Sequence, residues 1–117
     1  MKYGFIENVY KLNEKDRTIK LKSLPPLHFK RFYNDRKHRQ SPILRLVWIQ
    51  QSRKKDKVIV LDEIKLSDVK TELRLRYYII GDKPRMKGKW TFGQFAPFIP
   101  HADFRKLIFL AKKNGMI

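Results

Sequence analysis

The 117-residue chain contains no cysteine. That excludes disulfide bonds and thiolate zinc sites. Its three histidines, His28, His38 and His101, lie far apart in the chain without ligand spacing, so no metal or other cofactor is expected. Glycine is scarce, with five residues in all, and none builds a phosphate-cradling loop. Acidic residues are few, and Asp62-Glu63 is the only tight pair. Two-metal nucleic-acid cleavage would need more carboxylates than that. Long apolar runs are also missing. The longest, around Ile43 to Ile49, is broken by Arg45 and is far too short to span a bilayer. The opening Met1-Lys2-Tyr3-Gly4 lacks the apolar region of a secretory signal. The expectation is a soluble, cytoplasmic protein without a membrane partner.

What is present is positive charge. Lys and Arg number 28 against 11 Asp and Glu, a net charge of +17. Such an excess repels itself in a compact domain, and binding a polyanion is the commonest reason to keep it. The length fits one domain, read as residues 1–117. Within it, 1–41 form an N-terminal hairpin plus a basic segment, and 42–117 form a sheet and a C-terminal helix.

Short alternating runs separated by polar turns predict β-structure. Strands are expected at Tyr3 to Leu12, Thr18 to Ser23, Ile43 to Gln51, Lys57 to Lys65, Thr71 to Ile80 and Gly88 to Phe95. Phe29, Phe32, Tyr33 and Arg36 fall at helical spacing, so a short basic helix is expected within residues 26–39. Gly81-Asp82-Lys83-Pro84 is turn chemistry. From His101 to Lys113 the pattern is helical, with Phe104, Leu107, Ile108 and Ala111 as the apolar stripe; Phe109 and Leu110 widen that face, as core in preference to a surface for a partner subunit. Asp103 suits its first turn, Lys112 and Lys113 its last, and Asn114-Gly115 its end. The fold class is therefore α+β: a curved antiparallel sheet of about five to six strands with an amphipathic C-terminal helix on one face.

Two turns carry clustered cations. Arg53, Lys54 and Lys55 join the third and fourth expected strands. Lys83, Arg85, Lys87 and Lys89 lie between the fifth and sixth. In a meander these turns share one end of the sheet, about 10 Å apart. The bland alternative is that they only keep strand ends soluble. The segment before the sheet adds Lys30, Arg31, Arg36, Lys37 and Arg39. Period-two alternation groups Arg74, Arg76 and Tyr78 on one strand face, expected to point outward. Trp90 and Phe92 share a face of the next strand, either as core or as surface. Aromatic rings among cations on an open sheet stack unpaired bases, which favours single strands over duplex.

Leu73-Arg74-Leu75-Arg76-Tyr77-Tyr78, the turn Gly81-Asp82-Lys83-Pro84, Lys87-Gly88 and the terminal amphipathic helix together resemble the positive cofactor four type of transcriptional coactivator. That family shows an Ile-x-Ile-Arg-x-Tyr strand, a Lys-Pro turn and a Lys-Gly before its last strand. Arg76, Tyr78, Lys87 and Gly88 match those positions. The resemblance covers the last 75 or so residues. It implies a four-stranded curved sheet followed by a helix, binding of single-stranded DNA, and a homodimer. The longer, aromatic Trp90-Thr91-Phe92-Gly93-Gln94-Phe95-Ala96-Pro97 run departs from the family, and the first 40 residues have no counterpart in it.

The expected function is non-enzymatic binding of single-stranded nucleic acid, with DNA favoured. Three alternatives share the same charge: an RNA- or ribosome-binding protein, an architectural duplex-DNA binder, and a small metal-independent ribonuclease. The last would use Arg76, Tyr78 and His101 as phosphate clamp and proton-transfer groups.

Overall fold

A computed structural model describes residues 2–81, 85, 87–93 and 97–117. Its strands are β1 (Tyr3–Glu7), β2 (Thr18–Ile19), β3 (Leu27–His28), β4 (Phe32–Asn34), β5 (Gln40–Gln50), β6 (Lys57–Ser67), β7 (Lys70–Ile80) and β8 (Trp90–Phe92), followed by helix α1 (His101–Lys113). The main sheet is antiparallel in the order β1-β5-β6-β7-β8, with β4 pairing the start of β5, and β2-β3 make a separate small ribbon. This is the expected α+β fold with its helix on a sheet.

β6 explains the layering. Val58-Ile59-Val60-Leu61 is apolar at every position and buried at every position. A strand of that kind belongs at the centre of a sheet covered on both faces. One face carries Leu46 and Trp48 of β5, Val58, Val60 and Ile64 of β6, and Tyr78 of β7. The N-terminal segment covers it with Val9, Leu21, Leu27 and Phe29. The other face carries Val47, Ile49, Ile59 and Leu61 and is covered by Leu107, Leu110, Ala111 and Met116. A bulge between Ile43 and Arg45 shifts the alternation of β5. That shift lets Ile43 join the first core although it is an odd number of residues from Leu46.

Several expected elements are shorter or different. β1 ends at Glu7 because Asn8 is left-handed (φ 53°) and turns the chain into a 3-10 turn at Val9–Lys11. β2 stops at Ile19; Ser23 is left-handed (φ 64°) and Pro25-Pro26 cannot extend a ladder. The helix expected within 26–39 is absent. Phe29 instead packs between Trp48 and Tyr78, with ring centroids 6.5 and 6.1 Å away. β4 then forms a hairpin with β5. Asp35 builds its turn by accepting hydrogen bonds from the backbone N–H of Lys37 (2.8 Å) and Arg39 (3.0 Å). The last strand is Trp90–Phe92; Gln94 and Phe95 of the longer strand expected there lie, with Ala96, outside the described residues. So do Asp82, Lys83 and Pro84 of the expected turn.

The helix has the expected bounds, but its buried face is rotated. Asp103, Leu107, Leu110 and Ala111 are buried, while Phe104 and Phe109 are exposed. Two polar clasps fix it. At its C-terminal end Arg45, paired with Glu63 at 2.8 Å, donates to the carbonyls of Asn114 (3.0 Å) and Gly115 (2.9 Å), where cations complement unsatisfied helix carbonyls. Glu63 raises the Arg45 pKa further above its ordinary value. In the first turn, buried Asp103 accepts from the N–H (3.0 Å) and hydroxyl (3.1 Å) of Ser52. This second clasp ties α1 to the β5–β6 turn.

Candidate nucleic-acid interface

β5 and β7 both finish at one end of the sheet, so the β5–β6 turn and the β7–β8 connection emerge there together. The N–H of Ile80 donates to the Asp56 carbonyl at 3.0 Å, joining the bases of the two loops, and the N–H of Gly81 donates to Lys89 O at 3.0 Å. Arg53, Lys54 and Lys55 on the first loop, and Arg85, Lys87 and Lys89 on the second, are exposed. None of them enters an ion pair among the described residues. Lys83 lies outside the described residues. The two-loop arrangement read from the sequence is thus assembled at this end.

The Asp103–Ser52 clasp adds groups that the sequence did not single out for binding. It brings the start of α1 against the β5–β6 turn, enclosing an open cavity of about 770 Å³ lined by Arg53, Phe98, His101 and Arg105 among others. Phe98 is 89% exposed. Its carbonyl is held by Gln51 Nε2 (2.9 Å) and Lys57 Nζ (3.2 Å), so the backbone is fixed while the ring faces solvent. Lys57 also lies 4.9 Å from the Tyr77 ring centroid. Burial, then the like charge of Lys54, holds its ammonium below the usual lysine pKa. No short-range pattern in the sequence relates Arg105 to Arg53, because their proximity depends on a hydrogen bond spanning 51 residues.

The β7 face expected to point outward points inward. Arg76 is 2% exposed and Tyr78 5%. The cause is Asp62, fully buried on β6 and directly opposite Arg74. Arg76 places Nε 2.6 Å and Nη2 2.9 Å from the Asp62 carboxylate, and Arg74 Nη2 lies at 3.0 Å. The remaining Arg76 Nη1 donates to the Tyr78 hydroxyl. Burial pushes the Tyr78 phenol above its ordinary pKa, so it stays neutral through the physiological range. A buried carboxylate is tolerated only when paired and hydrogen-bonded, and these residues supply that pairing. The N-terminal segment seals them in, with Phe29 and Tyr33 over the guanidinium groups of Arg76 and Arg74. The alternation was legible; which face the N-terminal cover would bury was not.

The other expected binding residues separate into three groups. Trp90 is half-buried and donates to Pro25 O at 2.6 Å, so its indole belongs to the core cover. Phe92, whose placement the sequence left open, is exposed, with Lys30 Nζ 5.2 Å from its ring centroid. Lys30 and Arg31 are exposed on the cover, Arg31 beside Phe32. Arg36, Lys37 and Arg39 sit on the β4–β5 turn, at the opposite end of the sheet from Arg53, and Arg39 is paired with Asp35 at 2.7 Å. The ribonuclease trio does not converge. Arg76 and Tyr78 are sealed on one face of the sheet, whereas His101 is exposed at the start of the helix covering the other.

Among the described residues no cluster of His, Asp or Glu has metal-binding geometry, and no helix is long and apolar enough to cross a membrane. No family model, curated protein or solved structure matches the chain.

Proposed function

We propose that this protein binds single-stranded nucleic acid without cleaving it, through the basic end of its sheet, and that it does so as a homodimer. The observation that carries the reading is the gathering of Arg53, Lys54, Lys55, Arg85, Lys87, Lys89 and Arg105 at one end, without ion-pair partners among the described residues, beside an exposed aromatic ring. Elsewhere Arg39, Arg45, Arg74 and Arg76 are neutralised by Asp35, Glu63 and Asp62. Unpaired cations concentrated in one place are the electrostatic footprint of a phosphate chain. Phe98, rather than Tyr78 or Trp90, is the exposed ring beside these cations that would stack on an unpaired base. The resemblance to the positive cofactor four type of coactivator supports DNA over RNA.

The test is a competition at fixed salt among single-stranded DNA, single-stranded RNA and duplex DNA, with a cleavage assay on the same samples. The protein should prefer single-stranded DNA and leave all three intact. Phe98→Ala should lose about 1–3 kcal/mol of single-strand affinity, the range for one base–aromatic stack. Preference for duplex would point to an architectural role, and preference for RNA to the RNA-binding alternative. Either result, or turnover of the RNA, would displace the proposal.

A further inference from the structure

α1 starts at the basic end and runs away from it. Asp103 clasps its first turn to Ser52, and its last carbonyls reach Arg45, further back along β5. Asp103 is the only acidic residue of the helix and is buried, so every charged side chain that α1 turns to solvent is cationic. A surface helix is ordinarily steadied by acid–base pairs three or four residues apart, and α1 makes none among the described residues. The helix dipole accounts for Lys112 and Lys113 in the last turn, but not for Arg105 and Lys106 in the first half. Phe109 lies at the centre of these cations and is 55% exposed. Residues three and four apart are neighbours on a helix surface, and all four such neighbours of Phe109 are Arg105, Lys106, Lys112 and Lys113. Lys106 Nζ lies 5.4 Å from the Phe109 ring centroid and 4.0 Å from that of half-exposed Tyr3 on β1. An exposed ring among unpaired cations thus recurs on the helix, as with Phe98 at the basic end. Arg105 belongs to both places: it lines the cavity with Phe98 and stands about one helical turn before Phe109.

We propose that a single strand held at the basic end continues along the outer face of α1, where Phe109 stacks on one of its bases and Arg105, Lys112 and Lys113 hold the flanking phosphates. This rests on the proposed reading of the basic end and extends it. Continuity and charge select the occupant. Arg105 joins the two surfaces, and the outer face keeps one sign of charge over the roughly 10 Å from Arg105 to Lys112. A sequence-tolerant grip on a single strand needs a ring for a base and cations for the backbone on either side of it, and Phe109 with its four neighbours supplies both. A helix lying on a bilayer buries a broad apolar face, whereas here a single ring stands among cations. The extension carries a length requirement: a short strand fills the basic end alone, and a longer one reaches Phe109.

Affinities of the full chain for fluorescent single-stranded DNA of about 6 and about 16 nucleotides, within the site sizes of single-strand-binding folds, test it. Phe109→Ala should weaken the longer strand about five- to a hundredfold, the equivalent of one lost stack, and leave the shorter within about twofold. Phe109→Trp should keep the long-strand affinity, because an indole also stacks. Lys112→Gln combined with Lys113→Gln should flatten the salt slope by about 1.4 for the longer strand and leave it unchanged for the shorter. Circular dichroism reports whether each variant is folded; if Phe109→Ala is not, the lysine pair decides. Long-strand affinity unchanged in folded Phe109→Ala, or equal losses at both lengths, overturns the extension and leaves the basic-end reading standing. A wild-type chain that binds neither strand defeats the basic-end reading, and the extension with it. Phosphatidylserine vesicles are the remaining arm: vesicle binding that Phe109→Ala abolishes, with long-strand affinity unchanged, assigns this face to an anionic bilayer and also overturns the proposal.

Discussion

Asp62 decides more of this structure than any other single residue. It is fully buried, and both Arg74 and Arg76 depend on it. Removing one partner of a buried ion pair leaves the other charge uncompensated and costs about 3–5 kcal/mol. Asp62→Asn should therefore lower the urea midpoint by an amount corresponding to that range, measured by circular dichroism. A midpoint unchanged from wild type would mean that the network contributes nothing to folding. The sequence made the grouping of Arg74, Arg76 and Tyr78 legible through alternation alone. It gave no local signal that the charged side faces inward, because the reason lies on a neighbouring strand and on Phe29, a residue 47 positions before Arg76. Leu73 and Leu75, which look like core by composition, are the exposed face for the same reason.

The elements divide between those set by local signals and those set by distant partners. α1 was legible to its last residue, since its period, its acidic first turn and Asn114-Gly115 are all local. Its rotation was not. Of the widened face, Leu110 is buried as expected, but Phe104 and Phe109 are left outside because Asp103 binds Ser52 and Arg45 holds the final carbonyls. The two rotations predict different mutants. Leu107→Ala and Leu110→Ala should each cost about 2–5 kcal/mol as buried truncations, whereas Phe104→Ala should change stability by about 1 kcal/mol or less, as an exposed substitution. Denaturant unfolding of the three variants checks this, and equal losses at Phe104 and Leu110 would contradict the observed face. The 26–39 segment failed in the opposite direction. Its aromatic spacing fits a helix, yet Phe29 gains more by entering the main core, and the Asp35 turn closes a hairpin that offers β4 a partner in β5.

At the scale of the molecule, charge is sorted by position. Arg45, Lys70, Arg74 and Arg76 on the strands are paired, the cations on the β4–β5 turn are partly neutralised by Asp35, and those at the end shared by the β5–β6 and β7–β8 connections are exposed and unpaired among the described residues. The meander made that end legible from the sequence, because alternate hairpin turns emerge together. The contribution of Arg105 and Phe98 was hidden, since it follows from the Asp103–Ser52 clasp. The central claim is that the unpaired end, not the total charge, holds the polyanion. It is tested most directly by the affinity for a fluorescent single-stranded oligonucleotide measured across salt concentrations for three proteins. For wild type, neutralising about four to six phosphates predicts a slope of log affinity against log salt of roughly −3 to −4. Replacing Arg53, Lys54 and Lys55 together by Ala should flatten that slope by about 2. Replacing Arg36, Lys37 and Arg39 together by Ala should leave it nearly unchanged. Absence of binding at low salt, a wild-type slope near zero, or equal flattening by the two triple variants would contradict the account.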